Sequence, residues 1–242
     1  MTKQDYISYL IKAFEQNDLG DIIDEEKAEK FHNLYKYLIE YNSHTNLTAI
    51  TDEKEVILKH FIDCAAVSKH IEANSNVIDV GCGAGFPSLP IAIVRPDLKI
   101  TSLDSTSKKI NFVKSAIDLL ELKSSSAICA RAEEFASDNR GAYDVCVSRA
   151  VARLNILAEL CLPLVKKKGI FIAMKSNKGA DELNEAKNCI KTLGAEHVDT
   201  KYLTFSINEL DSIEREIQIF SKTSQTPLLY PRKYAQILKK PL

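Results

Sequence analysis

A glycine-rich segment constrains the fold of this chain more than any other feature of its sequence. The apolar run at residues 77–80 leads directly into Gly81, Gly83 and Gly85, which are three of only eight glycines in 242 residues. Because glycine carries no Cβ atom, the backbone can turn sharply there and approach a ligand closely. The segment therefore predicts a buried strand, a ligand-binding loop and a following helix. A plain strand-to-helix turn is the alternative interpretation.

The spacing of these glycines is not that of dinucleotide-binding proteins. Their fingerprint is G-x-G-x-x-G, in which the third glycine lets the helix pack closely on the sheet. This chain has G-x-G-x-G, and Phe86 stands at the position of the fingerprint's third glycine. The spacing therefore disfavours an NAD-dependent enzyme.

The pattern downstream of residue 76 predicts an α/β fold. Short apolar runs, typical of strands, alternate with amphipathic runs, typical of helices. Strands are predicted at residues 77–80, 99–104, 126–130, 143–148 and 169–175, and helices near 88–93, 108–120, 154–164 and 181–193. Residues 201–206 and 215–220 form two more strand-like runs with no helical pattern between them, which favours an antiparallel edge. This order predicts a mostly parallel seven-stranded sheet with helices on both faces.

The residues before the first predicted strand favour helices. Apolar residues recur at helical intervals at residues 6–14 and again at 31–39. Residues 42–51 are polar and typical of a turn, and Asp52 is suited to cap a third helix. We therefore expect an N-terminal helical segment at residues 1–72.

Composition and charge exclude several classes of protein. Hydrophobic residues make up 45% of the chain and charged residues 27%, which is typical of a folded protein rather than a disordered one. The net charge of −1 disfavours an indiscriminate polycation that coats nucleic acid. The sequence has no apolar run of the roughly 20 residues that span a bilayer, and its start lacks the apolar core of a signal peptide. We therefore expect a cytoplasmic protein.

The spacing of cysteine and histidine gives no indication of a metal site. The six cysteines are widely spaced, none of them forms a Cys-x-x-Cys pair, and most lie in apolar runs. We therefore interpret them as buried, reduced thiols of a cytosolic protein. The five histidines also lack metal-ligand spacing, so we interpret them as structural or surface residues and expect no bound metal.

Two charged residues are predicted to follow strands of the sheet. Asp104 stands 23 residues after Gly81 at the end of a strand, where a carboxylate can bind both hydroxyls of a ribose. Capping of the following helix is the alternative role for Asp104. Arg149 ends the fourth strand, where we expect it to face the ligand crevice, although a strand-end arginine is more often a plain surface cation.

Two basic clusters contain no acidic residue. The first comprises Lys166, Lys167, Lys168, Lys175 and Lys178. The second is the C-terminal arm, residues 226–242, which contains Arg232 and Lys233 together with prolines and tyrosines. A solvated surface explains the lysine run 166–168 equally well. The arm is better suited to phosphate and base contacts with RNA.

Several of these segments together resemble the RsmG (GidB) family of bacterial small-subunit rRNA methyltransferases, which use S-adenosylmethionine (SAM). They lie at residues 46–48, 59–63, 79–87, 103–105, 131–135, 148–150 and 230–233. Their order and spacing make the resemblance specific, and it covers nearly the whole chain. One departure is visible in the arm, where residues 234–237 read Tyr-Ala-Gln-Ile and the family continues with a Gly-Thr-Pro-like segment.

The resemblance implies a class I SAM-methyltransferase fold, which is Rossmann-like, at residues 73–225 between the helical segment and the arm. It implies methylation of N7 of one guanosine in 16S rRNA, conventionally numbered 527, near the decoding site. Guanine N7 carries a lone pair and no proton, so methyl transfer needs orientation rather than a general base. We therefore assign no catalytic acid or base. We expect a monomer that acts on 16S rRNA or on the assembling small subunit.

The resemblance also implies the residues of the site. SAM contacts fall on Gly81, Gly83, Gly85, Phe86, Asp104, Ala132, Glu133 and Arg149. Asp104 is expected to contact the ribose. Ala132 and Glu133 are expected to lie beside the adenine. Arg149 is expected near the methionine end of SAM or near an RNA phosphate. From the two basic clusters, RNA contacts are expected on Arg232 and Lys233 of the arm and on Lys175.

Two other functions are compatible with the sequence. A SAM-dependent methyltransferase of a small molecule or protein explains the glycine segment but leaves the basic arm unused. Deleting residues 226–242 distinguishes this function from rRNA methylation, because an rRNA methyltransferase should then lose RNA methylation while SAM binding persists. A nucleotide-binding assembly factor that has lost catalysis would bind RNA without methyl transfer.

Overall fold

Within the part of the chain that the structure describes, a seven-stranded sheet organises the fold. The computed structural model describes residues 1–149, 152–175, 179–208 and 210–242. Two predictions fall outside these ranges, namely those for Ala150 in the segment 148–150 and for Lys178 in the lysine cluster. Among the described residues, no helix has both the length and the apolar character needed to cross a membrane.

The strands form an open sheet whose order reverses near its centre. They are β1 (Asn76–Val80), β2 (Lys99–Asp104), β3 (Ser125–Cys129), β4 (Tyr143–Arg149), β5 (Val165–Lys175), β6 (Ala195–Ile207) and β7 (Leu210–Lys222). In space they lie in the order β3-β2-β1-β4-β5-β7-β6. Neighbours from β3 to β5 are parallel, and β7 is antiparallel to both β5 and β6. The predicted parallel sheet with an antiparallel edge is therefore confirmed.

Helices precede the sheet and cover it. They are α1 (Lys3–Gln16), α2 (Glu25–Thr45), α3 (Glu53–Val56), α4 (Asp63–Ala66), α5 (Ser88–Val94), α6 (Ser107–Leu119), α7 (Ala132–Asp138), α8 (Leu154–Cys161), α9 (Gly179–Thr192) and α10 (Tyr234–Lys239). A π-helical turn, Ile57–Ile62, joins α3 to α4. The sequence pattern does not predict α7 and α10, because each is too short to show a periodic apolar stripe.

The first helices begin and end at residues with suitable side chains. Asp52 caps α3 as predicted, since its Oδ1 accepts hydrogen bonds from the N–H groups of Lys54 at 3.0 Å and Glu55 at 3.1 Å. Helix α2 continues into the region predicted to be a turn. It ends at Asn46 in the left-handed conformation, with φ 52°, which asparagine tolerates better than most residues.

Apolar cores lie on both faces of the sheet. Val77 of β1 packs into a core shared with α1, α2 and α6, whereas its neighbour Ile78 packs into a second core shared with α8 and α9. Successive residues of a strand point to opposite faces, so each layer of helices receives half of the strand side chains. The predicted helical cover on both faces is confirmed, and the N-terminal helices form part of it.

A row of aromatic rings connects the N-terminal helices to the glycine segment. Phe14 of α1 lies 5.5 Å from Phe31 of α2, measured between ring centroids. Phe31 lies 4.8 Å from Phe61, which in turn lies 6.3 Å from Phe86. All four side chains are buried. Because aromatic contacts add to ordinary apolar burial, this row fixes the position of Phe86 and of the loop that precedes it.

The cysteines are buried as predicted, with one exception. Cys64, Cys82, Cys146, Cys161 and Cys189 are buried, and burial raises the pKa of the Cys64 thiol well above its usual range. Cys129 is exposed because it ends β3, a strand at the edge of the sheet. The buried thiols therefore contribute packing rather than reactivity.

Candidate functional site

Two adjoining cavities open at the carboxyl ends of the parallel strands. The larger, of about 570 Å³, reaches the glycine segment, Arg149 at the end of β4 and Lys175 at the end of β5. The smaller, of about 260 Å³, lies beside Asp104 at the end of β2. Gly81 lines both. Open α/β sheets bind ligands at this edge, where the strand order reverses.

The glycines of the loop have distinct surroundings. Gly81, Gly83 and Gly85 have φ angles of 75°, 57° and 80°, which glycine adopts without the clash of a Cβ atom. A Cβ atom at Gly83 would meet no described atom within 4 Å, so this residue faces open space in the larger cavity. A Cβ atom at Gly85 would overlap the Leu89 side chain, and Gly85 is not among the described residues that line either cavity. Contact of Gly85 with SAM stays a prediction.

Asp104 joins the glycine loop to the helix that follows β2. Its Oδ2 accepts a hydrogen bond from the Gly83 N–H at 3.1 Å, and its Oδ1 accepts one from the Thr106 N–H at 2.8 Å. The second bond goes to the N-cap residue of α6 and not to an N–H inside the helix, so Asp104 fixes the approach to α6 but does not cap it. The carboxylate also lines the smaller cavity, where its oxygens can accept further hydrogen bonds.

The walls of the smaller cavity come from three further helices. Ala132 and Glu133 at the start of α7 form one wall, so the structure brings these predicted residues to the same cavity as Asp104. Leu160 of α8 adds an apolar surface. Tyr234 of α10, which the sequence analysis does not assign to the site, contributes another part of the wall.

Arg149 lies at the larger cavity, where contacts to Lys59 of the π-helical turn and to Asp63 of α4 hold its side chain. Its Nη1 donates to the Lys59 carbonyl at 3.1 Å, and the guanidinium forms an ion pair with Asp63 at 3.3 Å. The Asp63 carboxylate, which is 2% exposed, also pairs with Arg215 of β7 at 3.2 Å. Two guanidinium groups therefore share one buried carboxylate, which leaves an excess of positive charge at the cavity.

His60 connects Arg149 to the glycine segment. Its ring stacks on Phe86 with centroids 4.5 Å apart, and the Arg149 guanidinium lies 5.5 Å from the same Phe86 ring. The His60 Nε2 lies 3.1 Å from the Thr48 hydroxyl, and Nδ1 lies 3.3 Å from the guanidinium. Burial, followed by the charge of Arg149, lowers the pKa of His60 to about 3. His60 is therefore a neutral group near pH 7, with both ring nitrogens engaged.

Sequence reasoning missed the roles of His60, Asp63 and Arg215. His60 is buried with both ring nitrogens engaged, which agrees with its interpretation as structural, and its side chain also lines the larger cavity. A signal was present for His60 and Asp63, since both lie in the segment 59–63 that carries the family resemblance. Arg215 gives no local signal, because only the antiparallel strand β7 brings it to Asp63.

Asp79 of β1 lies beneath the glycine loop and was also not assigned to the site. Its Oδ2 accepts a hydrogen bond from the Ser88 N–H at 3.0 Å, which connects the strand to the start of α5. The side chain is fully buried, and burial raises the pKa of Asp79 to about 7. This carboxyl group therefore titrates in the physiological range.

Two cations predicted to contact RNA form ion pairs within the protein. Lys175 is 7% exposed, and its Nζ donates to the Ala152 carbonyl at 2.7 Å and to Glu182 at 2.8 Å. Arg232 donates to the buried Glu159 carboxylate through Nε at 2.8 Å and Nη2 at 2.6 Å. RNA contact by Lys175 and Arg232 stays a prediction, and each of the two side chains already has an acidic partner in the structure.

The other predicted cations lie on the surface. Lys233 is exposed on the arm, next to the cavities. Lysines 166–168 are exposed as well, but they lie at the start of β5, on the side of the sheet where the parallel strands begin, opposite the cavities. Lys166 forms an ion pair with Asp144 there. This position favours a solvated surface as the interpretation of residues 166–168.

Comparison with known proteins gives full-length matches to one family. The family model described as rRNA small subunit methyltransferase G (GidB) matches residues 27–210. A protein named ribosomal RNA small subunit methyltransferase G from Staphylococcus carnosus (strain TM300) is 43% identical over 243 residues, and the match covers 98% of each chain. The protein of the same name from Staphylococcus aureus (strain Newman) is 47% identical over 239 residues, again with 98% of each chain covered.

Solved structures share the fold at low sequence identity. Precorrin-6y C5,15-methyltransferase from Geobacter metallireducens GS-15 has a TM-score of 0.52 at 15% identity and covers 72% of this chain and 90% of its own. TYW2 of M. jannaschii, solved in complex with AdoMet, has a TM-score of 0.54 at 12% identity and covers 67% of this chain and 75% of its own. The predicted class I methyltransferase fold is confirmed.

Proposed function

The chain belongs to the rRNA small subunit methyltransferase G family, and from this we propose that it methylates 16S rRNA with SAM. The methyl group goes to N7 of one guanine, conventionally numbered 527. The observation that carries the proposal is the pair of cavities that adjoin at Gly81. The smaller suits an adenosine, and the larger has room for the methionine half of SAM and an incoming base.

The residues of the smaller cavity fit the adenosine half of SAM. Asp104 presents carboxylate oxygens for ribose hydroxyls, and the Gly83 N–H holds it in place. Gly83 leaves open space that any Cβ atom would occupy. Ala132 and Glu133 form the wall proposed for the adenine. The proposed cofactor contacts are therefore Gly81, Gly83, Phe86, Asp104, Ala132, Glu133 and Arg149.

The proposed reaction needs no proton transfer from the protein. When bound, SAM supplies an electrophilic methyl group whose leaving group is a neutral thioether. Guanine N7 has an in-plane lone pair and no proton, so the chain has to align the reactants rather than provide a base. The neutral state of His60 agrees with this, because its two nitrogens are engaged in positioning Arg149 and Thr48.

Arg149 is proposed to bind an anion at the larger cavity. Its contacts to the Lys59 carbonyl and Asp63 fix the guanidinium, and Arg215 adds a second positive charge. Because the two arginines exceed the one carboxylate, the site favours either the carboxylate of SAM or an RNA phosphate. Methylation makes the guanine ring cationic, so direct contact of Arg149 with the ring would disfavour the product.

RNA binding is proposed to use exposed cations around the smaller cavity. Lys109 and Arg131 line it, with side chains 39% and 57% exposed, and each lies 4.0 Å from a carboxylate, of Asp104 and Glu133 respectively. Lys233 lies on the adjacent arm. Contacts of this kind bind phosphates and weaken as salt rises. The net charge of −1 favours a modest affinity for free RNA. We therefore propose folded 16S rRNA or the assembling subunit as substrate, with the chain acting as a cytoplasmic monomer.

A methyl-transfer assay tests the proposal. Purified chain and methyl-labelled SAM are incubated with small subunits from a strain that lacks this protein, with naked 16S rRNA and with a short unstructured RNA. We expect label in the rRNA as 7-methylguanosine, more from the structured substrates than from the short RNA. The Gly83→Val variant serves as the control that cannot accept the cofactor. Label in a small molecule or protein, with none in rRNA, would support the alternative substrate class instead.

A further inference from the structure

The C-terminal arm reaches the cavity proposed for the adenosine half of SAM. Tyr234 of α10 lines this cavity together with Asp104, Ala132 and Leu160. Its side chain is partly buried, which places the ring between the cavity and the surface of α8. The arm is therefore part of the wall of the site.

Hydrogen bonds fix the start of the arm to the methyltransferase fold. Arg140, which follows α7, donates to the carbonyl oxygens of Thr226, Pro227 and Tyr230. Further along, the Arg232 N–H and side chain both donate to Glu159, which is fully buried in α8. The hydrogen bonds to Arg140 and to Glu159 therefore fix the segment that leads into α10.

An apolar contact fixes α10 itself. Ile237 is 0% exposed and packs against Ile156 and Leu160 of α8. Tyr234 stands three residues earlier, so both side chains lie on the same face of the helix. Leu160 also lines the smaller cavity, which means that the anchor and the cavity wall share one residue.

We propose that Tyr234 is a cofactor-binding residue whose ring covers the adenosine half of SAM. This inference rests on the proposed function, because it takes SAM as the occupant of the smaller cavity. An aromatic ring at this wall excludes water from the nucleoside and offers a surface on which a base can stack.

The proposal changes the expected effect of removing the arm. The sequence analysis predicts that deletion of residues 226–242 leaves SAM binding intact. With Tyr234 in the wall, the deletion also opens the smaller cavity and exposes Ile156 and Leu160. Lys233 is the residue next to Tyr234, so contact of the arm with RNA and closure of the cofactor site involve the same short segment.

Calorimetric titration of the full chain tests the inference, with SAM and adenosine as separate probes. Tyr234→Ala should raise the Kd of both probes by roughly tenfold, which is typical for loss of a base-stacking aromatic. Tyr234→Phe keeps the ring and should stay within about threefold of the wild type. Gln236→Ala alters an exposed residue of the same helix and should leave both constants unchanged.

Three results separate the possible failures. If Tyr234→Ala binds SAM as tightly as the wild type, or loses SAM affinity without losing adenosine affinity, the inference is overturned. If the wild type itself does not bind SAM, the proposed function fails and Tyr234 loses its assignment with it. Thermal unfolding of each variant shows whether it is folded. If Tyr234→Ala unfolds, Tyr234→Leu keeps an apolar side chain against α8 without a ring, and unchanged constants for both probes in this variant overturn the inference.

Discussion

At the scale of single residues, the Asp63 carboxylate determines the electrostatics of the larger cavity. It lies between Arg149 at 3.3 Å and Arg215 at 3.2 Å, and almost none of its surface is exposed. A buried carboxylate is favourable only while such partners compensate for its lost hydration. Its removal also leaves two guanidinium groups facing each other without a shared counter-charge.

Asp63→Ala should therefore lower the free energy of unfolding by about 3–5 kcal/mol, the range for breaking a buried pair. The control is Glu185→Ala, which breaks an exposed ion pair with Arg153 and should cost less than about 1 kcal/mol. Urea unfolding measures both. A loss for Asp63→Ala as small as that of the control would show that the three-residue cluster is not structural.

Asp104→Asn should weaken SAM binding by roughly 10- to 100-fold, because a hydrogen bond to a charged group contributes about 1.5–3 kcal/mol. The amide keeps one acceptor for the Gly83 or Thr106 N–H, so the loop should stay folded. Asp118→Asn, an exposed change on α6, is the control for net charge. An unchanged Kd in calorimetry would restrict Asp104 to holding the Gly83 and Thr106 N–H groups.

The raised pKa of Asp79 predicts a specific pH dependence of stability. Burial raises this pKa to about 7 in the folded chain, whereas an unfolded aspartate titrates near 3.9. Since the folded state binds the proton more tightly, the stability that this group contributes is complete below about pH 4. It is lost as the pH rises through about 7.

Asp79→Asn removes this titration. Between about pH 5 and pH 8, the wild type should lose roughly 2–3 kcal/mol of unfolding free energy relative to the variant. Asp97→Asn is the matched control, because the Arg95 hydrogen bond lowers the pKa of Asp97 to about 2 and the group stays ionised throughout this range. Parallel curves for wild type and Asp79→Asn would contradict the raised pKa.

Within the glycine loop, Gly83 leaves space for the cofactor, whereas Gly85 lets the loop pack against Leu89. Gly83 faces open space, so Gly83→Ala should cost only about 1 kcal/mol of stability, from its left-handed φ, while it weakens SAM binding at least tenfold. Gly85→Ala should cost about 3 kcal/mol, because its Cβ atom overlaps Leu89 as well. Thermal unfolding measures the loss of stability, and calorimetry measures the loss of SAM affinity. Equal losses in the two variants would show that Gly83 and Gly85 do not have separate roles.

The elements predicted from the sequence are those whose pattern is local. Alternating apolar and amphipathic runs predict the parallel sheet and its antiparallel edge, and the glycines mark the carboxyl end of β1. The π-helical turn Ile57–Ile62 leaves no comparable pattern, although such turns often occur at functional sites. The partners of Arg232 and Asp63 were not predictable, because Glu159 and Arg215 are distant in the sequence and meet them only in the folded chain.

At the scale of the whole molecule, the exposed cations lie unevenly with respect to the cavities. Lys233 lies beside them, whereas Lys167 lies at the start of β5, on the opposite side of the sheet from the cavities. Lys233→Ala should weaken binding to the small subunit and reduce the slope of log affinity against log salt by about one. Lys167→Ala should change neither quantity, and equal effects of the two variants would indicate binding by overall charge. Binding measured at several salt concentrations distinguishes these outcomes.

This chain transfers the methyl group of SAM to N7 of one guanine of 16S rRNA. The most direct measurement is mass spectrometry of 16S rRNA from a strain without this chain and from the same strain complemented with it. We expect 7-methylguanosine at the position conventionally numbered 527 to be missing in the first strain, to return with the wild type and not to return with Asp104→Asn or Gly83→Val. Unchanged 7-methylguanosine at that position in the strain without the chain would contradict it.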